Sequence, residues 1–303
     1  MPILSRDISD PEVNIAQDAW TSTSKATPPL QQYQGKQRSW DDIIVKQSFD
    51  QLLSKASCDE DKARLLAVSQ PHAGDWLLAP PITSIGLRMS NEEIRIAVGT
   101  RLGGVTCEPH LCQCGKMVDA KGLHGLSCLK SAGRHIRHSN LNDIIHRALK
   151  RAGIQAAKEP LGLFREDGKR PDGVTLIPWA RGKCLAWDVT VPDTYAASHI
   201  RYSSVTPAAA ADRAAENKKL KYQSILQTHL FTPVAIETTG VFNREALEFL
   251  KAIGQRMENE TGDSKETSYL FQRVSVVIQR GNAISFAGTF APTINSGGGK
   301  GCC

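Results

Sequence analysis

Asp172 and Asp188 are the residues best placed to do chemistry in this chain. Asp172 belongs to Arg170-Pro171-Asp172-Gly173, which opens a short apolar run from Val174 to Ile177. Asp188 lies in an alternating run from Cys184 to Val191. There Leu185, Trp187, Val189 and Val191 share one face, and Ala186, Asp188 and Thr190 share the other. Trp179 to Gly182 reads as the turn between two strands. Paired strands would bring the carboxylates side by side, where they repel by an energy on the order of several kcal/mol at intermediate dielectric. A divalent cation relieves that repulsion. Hard oxygen ligands with positions left for water suit Mg²⁺ or Mn²⁺.

A second set of ligand types lies upstream, in CEPHLCQCGKMVDAKGLHGLSC from Cys107 to Cys128. Cys112-x-Cys114-Gly115 has the shape of a tight knuckle, and His124-x-x-x-Cys128 supplies a second pair. Four such donors make a closed tetrahedral Zn²⁺ site, which is structural rather than catalytic. Cys107, His110, His135 or His138 are alternatives for one ligand. Clustering beside histidines favours metal over disulfides.

Several elements must position these groups. Gly133 to His138 is basic, and Ser139 or Asn140 can cap a helix after it. Leu141, Ile144, Ile145, Ala148, Leu149 and Ala152 fall on one apolar face of that helix, which Gly153 ends. Arg147, Lys150 and Arg151 fall mainly on its other faces, open to phosphate contact or to solvent. Ile154 to Glu159 reads as a strand. Ala208 to Leu226 reads as a helix with Lys218, Lys221, Tyr222 and Ile225 along one stripe. Phe231 to Thr238 reads as a strand, with Glu237 near the edge of the site. Two helices follow. One opens at Asn243 and buries Ala246, Leu250, Ile253 and Met257. The other opens at Ser264 and runs through Leu270, Val274 and Ile278. This order implies an α/β domain with a mixed central sheet.

At these residues the chain resembles the PD-(D/E)XK nucleases. It is most similar to the restriction-like endonuclease region at the C-terminal end of non-LTR retrotransposon polyproteins, where a Cys/His zinc motif follows the reverse transcriptase. The resemblance spans roughly residues 95 to 289. It rests on the order zinc motif, basic helix, Glu159-Pro160, Lys169-Arg170-Pro171-Asp172, Trp187-Asp188-Val189-Thr190 and a Lys-rich helix. It implies Asp172 and Asp188 as Mg²⁺ or Mn²⁺ ligands, with Glu159 assisting. It also implies DNA as substrate, with RNA as an alternative partner, and a nuclear location. One departure matters: Thr190 stands where the general motif has Lys, and a threonine carries no charge to stabilise a pentavalent phosphate. The retrotransposon enzymes are similar in placing the active lysine, with a nearby tyrosine, on the helix after the second acid. That points to Lys218 or Lys221, with Tyr222. Arg134, Arg137, His138, Lys169 and Arg170 are then the expected nucleic-acid contacts. The competing reading is a zinc-containing remnant that binds nucleic acid without cutting it.

The remaining numbers bound the problem. A composition 41% hydrophobic and 22% charged suits a globular protein, and a formal charge of +6 is compatible with nucleic acid without demanding it. No apolar run nears the ~20 residues of a membrane span, and the N-terminus lacks a signal-peptide core, so an intracellular protein is expected. Residues 1–38, polar and rich in Ser, Thr, Pro and Gln, read as disordered. Residues 39–104 read as a helical linker segment, 105–130 as the zinc motif, 131–290 as a restriction-endonuclease-like domain and 291–303 as a disordered tail. No polymerase catalytic motif is present, so this chain alone is not expected to polymerise nucleic acid. Protein partners are not legible.

Overall fold

A computed structural model describes residues 11–29, 36–161, 163 and 170–290. The tail read at 291–303 and the proposed contact residue Lys169 lie outside the described residues, as do residues 1–10 and 30–35. The chain divides into two compact units, Met1–Cys58 and Asp59–Cys303.

The first unit holds helices α1 (Pro11–Ser24) and α2 (Gln37–Lys55). Composition alone suggested disorder to residue 38, but α1 is helical. Its Trp20 packs edge-on to Trp40 at 5.0 Å, and Trp20 Nε1 donates to Trp40 O at 3.3 Å. One aromatic pair supplies what the polar composition hid.

The second unit begins with α3 (Asp59–Val68) and α4 (Asn91–Leu102). Ser90 and Glu93 form a reciprocal capping box at the start of α4. These helices pack within this unit rather than serving as the linker read from sequence. Trp76, Leu87, Met89 and Ala97 cluster with Val276, and Ile96 with Ala283 and Phe286. The burial of these apolar side chains ties the segment to the last helix of the unit. A small hairpin follows, β1 (His110–Leu111) with β2 (Met117–Val118), then α5 (His124–Ser127).

Helix α6 runs from Gly133 to Arg151, so it begins well before the Ser139 or Asn140 cap read from sequence. Ala132 at its N-cap offers no side-chain cap, and Ser131 Oγ accepts from Gly133 N at 3.3 Å instead. A four-stranded sheet then forms from β3 (Ala156–Lys158), β4 (Gly173–Thr175), β5 (Leu185–Thr190) and β6 (Leu230–Ala235), in that spatial order. β3/β4 and β4/β5 are antiparallel, while β5/β6 is parallel. A parallel pair needs a crossover connection, which here contains α7 (Ile200–Ser203) and α8 (Ala209–Lys221). Helices α9 (Arg244–Thr261) and α10 (Glu266–Ala287) complete the unit.

The architecture is mixed α/β, with ten helices among the described residues. The alternation read from sequence divides the two faces of the sheet. Leu185, Trp187 and Val189 join the main core with Leu141, Ile145 and Leu149 of α6, Leu250 and Ile253 of α9, and Phe271 and Val274 of α10. Ala186 faces the other way, into a smaller cluster with Val174, Tyr222 and Ile225. Asp188 follows on that same face.

Candidate functional site: an acidic centre and a Cys/His cluster

The acidic centre is assembled from β4, β5, α6 and the end of the crossover helix. Gly173 pairs with Trp187 and Val174 with Ala186. One further step of this antiparallel register sets Asp172 opposite Asp188. Asp172 Oδ2 accepts from Val189 N at 2.6 Å, which fixes the carboxylate against β5. Gly173 permits the approach: a Cβ there would lie 2.0 Å from Trp187 Cζ2. The indole crosses the strand at that point and donates to Asn142 Oδ1 at 2.9 Å, while Asn142 Nδ2 donates to Asp172 O at 3.2 Å. Asn142 thus pins both strands to α6. Nothing in its sequence neighbourhood marked it.

Asp188 is 3% exposed. Lys218 from α8 forms an ion pair with its Oδ2. That oxygen is buried and accepts no regular hydrogen bond, so the ammonium is its one polar partner among the described residues. The Tyr222 hydroxyl lies 3.0 Å from Asp188 Oδ1 and 2.9 Å from Arg170 O, and its single proton is shared between them. Burial pushes the Asp188 carboxyl above the ordinary range and the neighbouring Asp172 adds to the rise, while Lys218 opposes it. His138 Nε2 approaches Asp172 Oδ2 at 3.0 Å, and this hydrogen bond raises the imidazole pKa. Two acids and two bases therefore converge, with a tyrosine bracing one carboxylate.

The remaining expected residues are distributed otherwise. Lys221 places its ammonium 5.1 Å from the Tyr222 ring centroid, against the aromatic face rather than the acids. Glu159 is turned outward to Arg170 Nη2 at 2.7 Å, with its side chain 64% exposed, so it does not complete the acid pair. Arg170 is engaged by the same contact. Arg134 is exposed at the start of α6. Arg137 is corrected outright as a nucleic-acid contact: it is 1% exposed. Its guanidinium donates to Gly281 O, Asn282 Oδ1, Ser285 Oγ and Leu126 O. Burial lowers its pKa to about 10. Its stem crosses α10 where Gly281 leaves room; a Cβ there would lie 2.0 Å from Arg137 Cγ. Glu237 is likewise not at the acidic centre. It is buried and accepts from Ala210 N and Ala211 N, at the positive end of α8.

The second cluster is local. The ligand atoms of Cys112, Cys114, His124 and Cys128 all lie within 4.8 Å of one another. Cys112 Sγ is 3.7 Å from Cys128 Sγ, and Cys114 Sγ is 3.1 Å from His124 Nε2. A tetrahedral zinc with ~2.3 Å bonds to sulfur sets two thiolates roughly 3.8 Å apart, so this donor set fits Zn²⁺. The β1–β2 hairpin presents Cys112 and Cys114, and α5 presents His124 and Cys128. Hydrogen bonding to the Lys116 backbone draws the Cys114 thiol down to about 6, into the thiolate range at neutral pH. The alternative ligands are otherwise engaged. Cys107 Sγ donates to Asp119 O, His110 stacks on Phe290 and meets Thr289 Oγ1, and His138 is on Asp172. His135 is exposed on α6. Among the described residues no helix is long and apolar enough to cross a membrane. No known protein family and no curated protein sequence matches the chain.

Proposed function

We propose that this protein is a divalent-metal-dependent DNA endonuclease of the restriction-like type, derived from the C-terminal region of a non-LTR retrotransposon polyprotein. One observation carries the reading. Lys218 reaches Asp188 from the crossover helix, supplying the cation that Thr190 cannot, with Tyr222 beside it. The mixed sheet, with antiparallel strands bearing the acids, supports a restriction-endonuclease-like core.

Asp172 and Asp188 would hold Mg²⁺ or Mn²⁺, and the buried Asp188 Oδ2, lacking a regular hydrogen bond, is an apt ligand atom. When bound, the metal lowers the pKa of a coordinated water and offsets charge on the leaving oxygen. Val189 N and Asn142 hold Asp172 in place, and Tyr222 orients Asp188. Lys218 braces the scissile phosphate or the attacking water. Zn²⁺ in the Cys/His cluster is structural. The product is a nicked target in nuclear DNA whose 3′ end primes reverse transcription.

A second reading has its own support. The acids already have protein cations against them in Lys218 and His138, as in a binding remnant that no longer needs a metal. Incubation of supercoiled plasmid with the purified chain and Mg²⁺ or Mn²⁺ separates the two. The endonuclease yields open circles, and Asp172→Ala with Asp188→Ala abolishes them. Equal nicking by the double variant, or none by the wild type with either ion, removes the endonuclease reading.

A further inference from the structure

We propose that the groove between the C-terminal half of α6 and α10 is a clamp for the phosphate backbone of duplex DNA. It rests on the endonuclease reading only for the identity of the polymer. The groove has a volume of about 580 Å³. Arg147 and Lys150 enter it from α6, and Arg273 enters from α10. All three reach solvent, and none has a carboxylate partner among the described residues. The other charges on its wall are spent: Arg151 pairs with the buried Glu266, and Asp143 pairs with Lys158. The wall therefore carries three uncompensated cations, in a chain whose 37 basic and 31 acidic residues nearly balance. A concave cationic wall on a low-dielectric floor concentrates its field on an anion.

The shape of the occupant follows from the floor, which is aliphatic: Ile144, Leu270 and Val277. No aromatic ring lines the groove, so it offers no platform on which unpaired bases stack. Contact with the backbone of a paired duplex is what remains. The groove also lies on the helix that reaches the acids. From His138 to Arg147 and Lys150, α6 rises roughly 14–18 Å, and by the helical repeat Arg147 falls on the side of α6 turned away from His138, so the clamp is a surface separate from the acids. The basic footprint thus sits farther along α6 than Arg134 and Arg137, and its second side comes from α10.

The test is binding of a short duplex, followed by fluorescence anisotropy across a salt series without added divalent ion. Each lost phosphate contact flattens the slope of log K against log salt by about 0.9. Arg147→Gln with Arg273→Gln therefore loses roughly 2 units of slope, alike for duplexes of unrelated sequence. Should the double variant melt early, Lys150→Gln alone loses about 1 unit. An unchanged slope overturns the clamp. So does displacement of the duplex by a nucleoside triphosphate at equal phosphate, which would assign the groove to a small ligand. Asp188→Ala, run in parallel, keeps the slope and loses nicking. A wild type that nicks with no slope change in the variants defeats the clamp alone. A wild type that never nicks, with the slope lost in the variants, defeats the endonuclease alone. A wild type that binds no duplex defeats both.

Discussion

The two ligand clusters of the second unit are built in opposite ways. Cys112, Cys114, His124 and Cys128 come from one hairpin and the short helix after it, close in sequence and soft in chemistry. Asp172, Asp188, Lys218, Tyr222 and His138 come from two strands and two helices, far apart in sequence and joined by the core. The first gathers its donors around one small buried cluster, Val118 with cysteines, and a metal bound there would neutralise the thiolates and order the hairpin. The second is held by Trp187, Asn142 and the sheet, and its carboxylates already face protein cations. The metal proposed at the acids would have to compete with Lys218 and His138, whereas one in the Cys/His cluster would meet no protein cation against its donors among the described residues.

This contrast can be broken most directly by taking the zinc away. Cys128→Ser is expected to lower bound zinc from one per chain to near zero by elemental analysis. The hairpin should become open to protease while the helical far-UV signal of the core persists. Collapse of that signal would show that the two regions are not separable. A smaller effect is expected at the acids. Lys218→Met leaves Asp188 buried without its counter-charge. Removing one partner of a buried pair costs about 3–5 kcal/mol, so roughly 2–3 kcal/mol in urea unfolding is expected here, since the Lys218 side chain keeps 22% exposure. Added Mg²⁺ should recover part of it. A neutral Lys218→Met would mean that the ion pair is not what neutralises the site.

The smallest effect concerns His138. Its raised pKa means that the contact with Asp172 stabilises the fold fully below the ordinary histidine value. That contribution is lost as pH rises through the raised one. The stability gap between wild type and His138→Gln is therefore expected to be larger at pH 5.5 than at pH 8.5, measured by thermal melting without divalent ions. A gap that grows with pH would contradict the pairing.

Much of the acidic centre was legible because strand alternation is a local property. Once Leu185, Trp187 and Val189 are assigned inward, Asp188 must face the other way, and Tyr222 follows Lys218 one turn along α8. Periodicity likewise named the faces of α6 and α9. It failed where a single long-range contact outweighed local pattern. Arg137 looks like a phosphate contact by charge and position, yet Gly281 and Ser285 on α10 offer it a buried nest. His138, one residue on, had three plausible partners, and only the placement of α6 against β4 chose Asp172. Asn142 gave no signal, because a polar residue inside an amphipathic helix has meaning only through what it touches.

The sequence by itself named the side chains of a type able to do chemistry, the inward and outward faces of β5, the apolar face of α6, and the short segment in which four zinc-type donors meet. These follow from residue type and from periods of two and 3.6, which need no knowledge of distant chain. The tertiary structure alone decided that Lys218 rather than Lys221 meets the acids, that Glu159 stays outside, that Arg137 is buried, and that Arg273 faces Arg147 across a groove. Each of those outcomes depends on how separate elements dock. Docking is set by the summed burial of many apolar side chains, a quantity no single stretch of sequence contains.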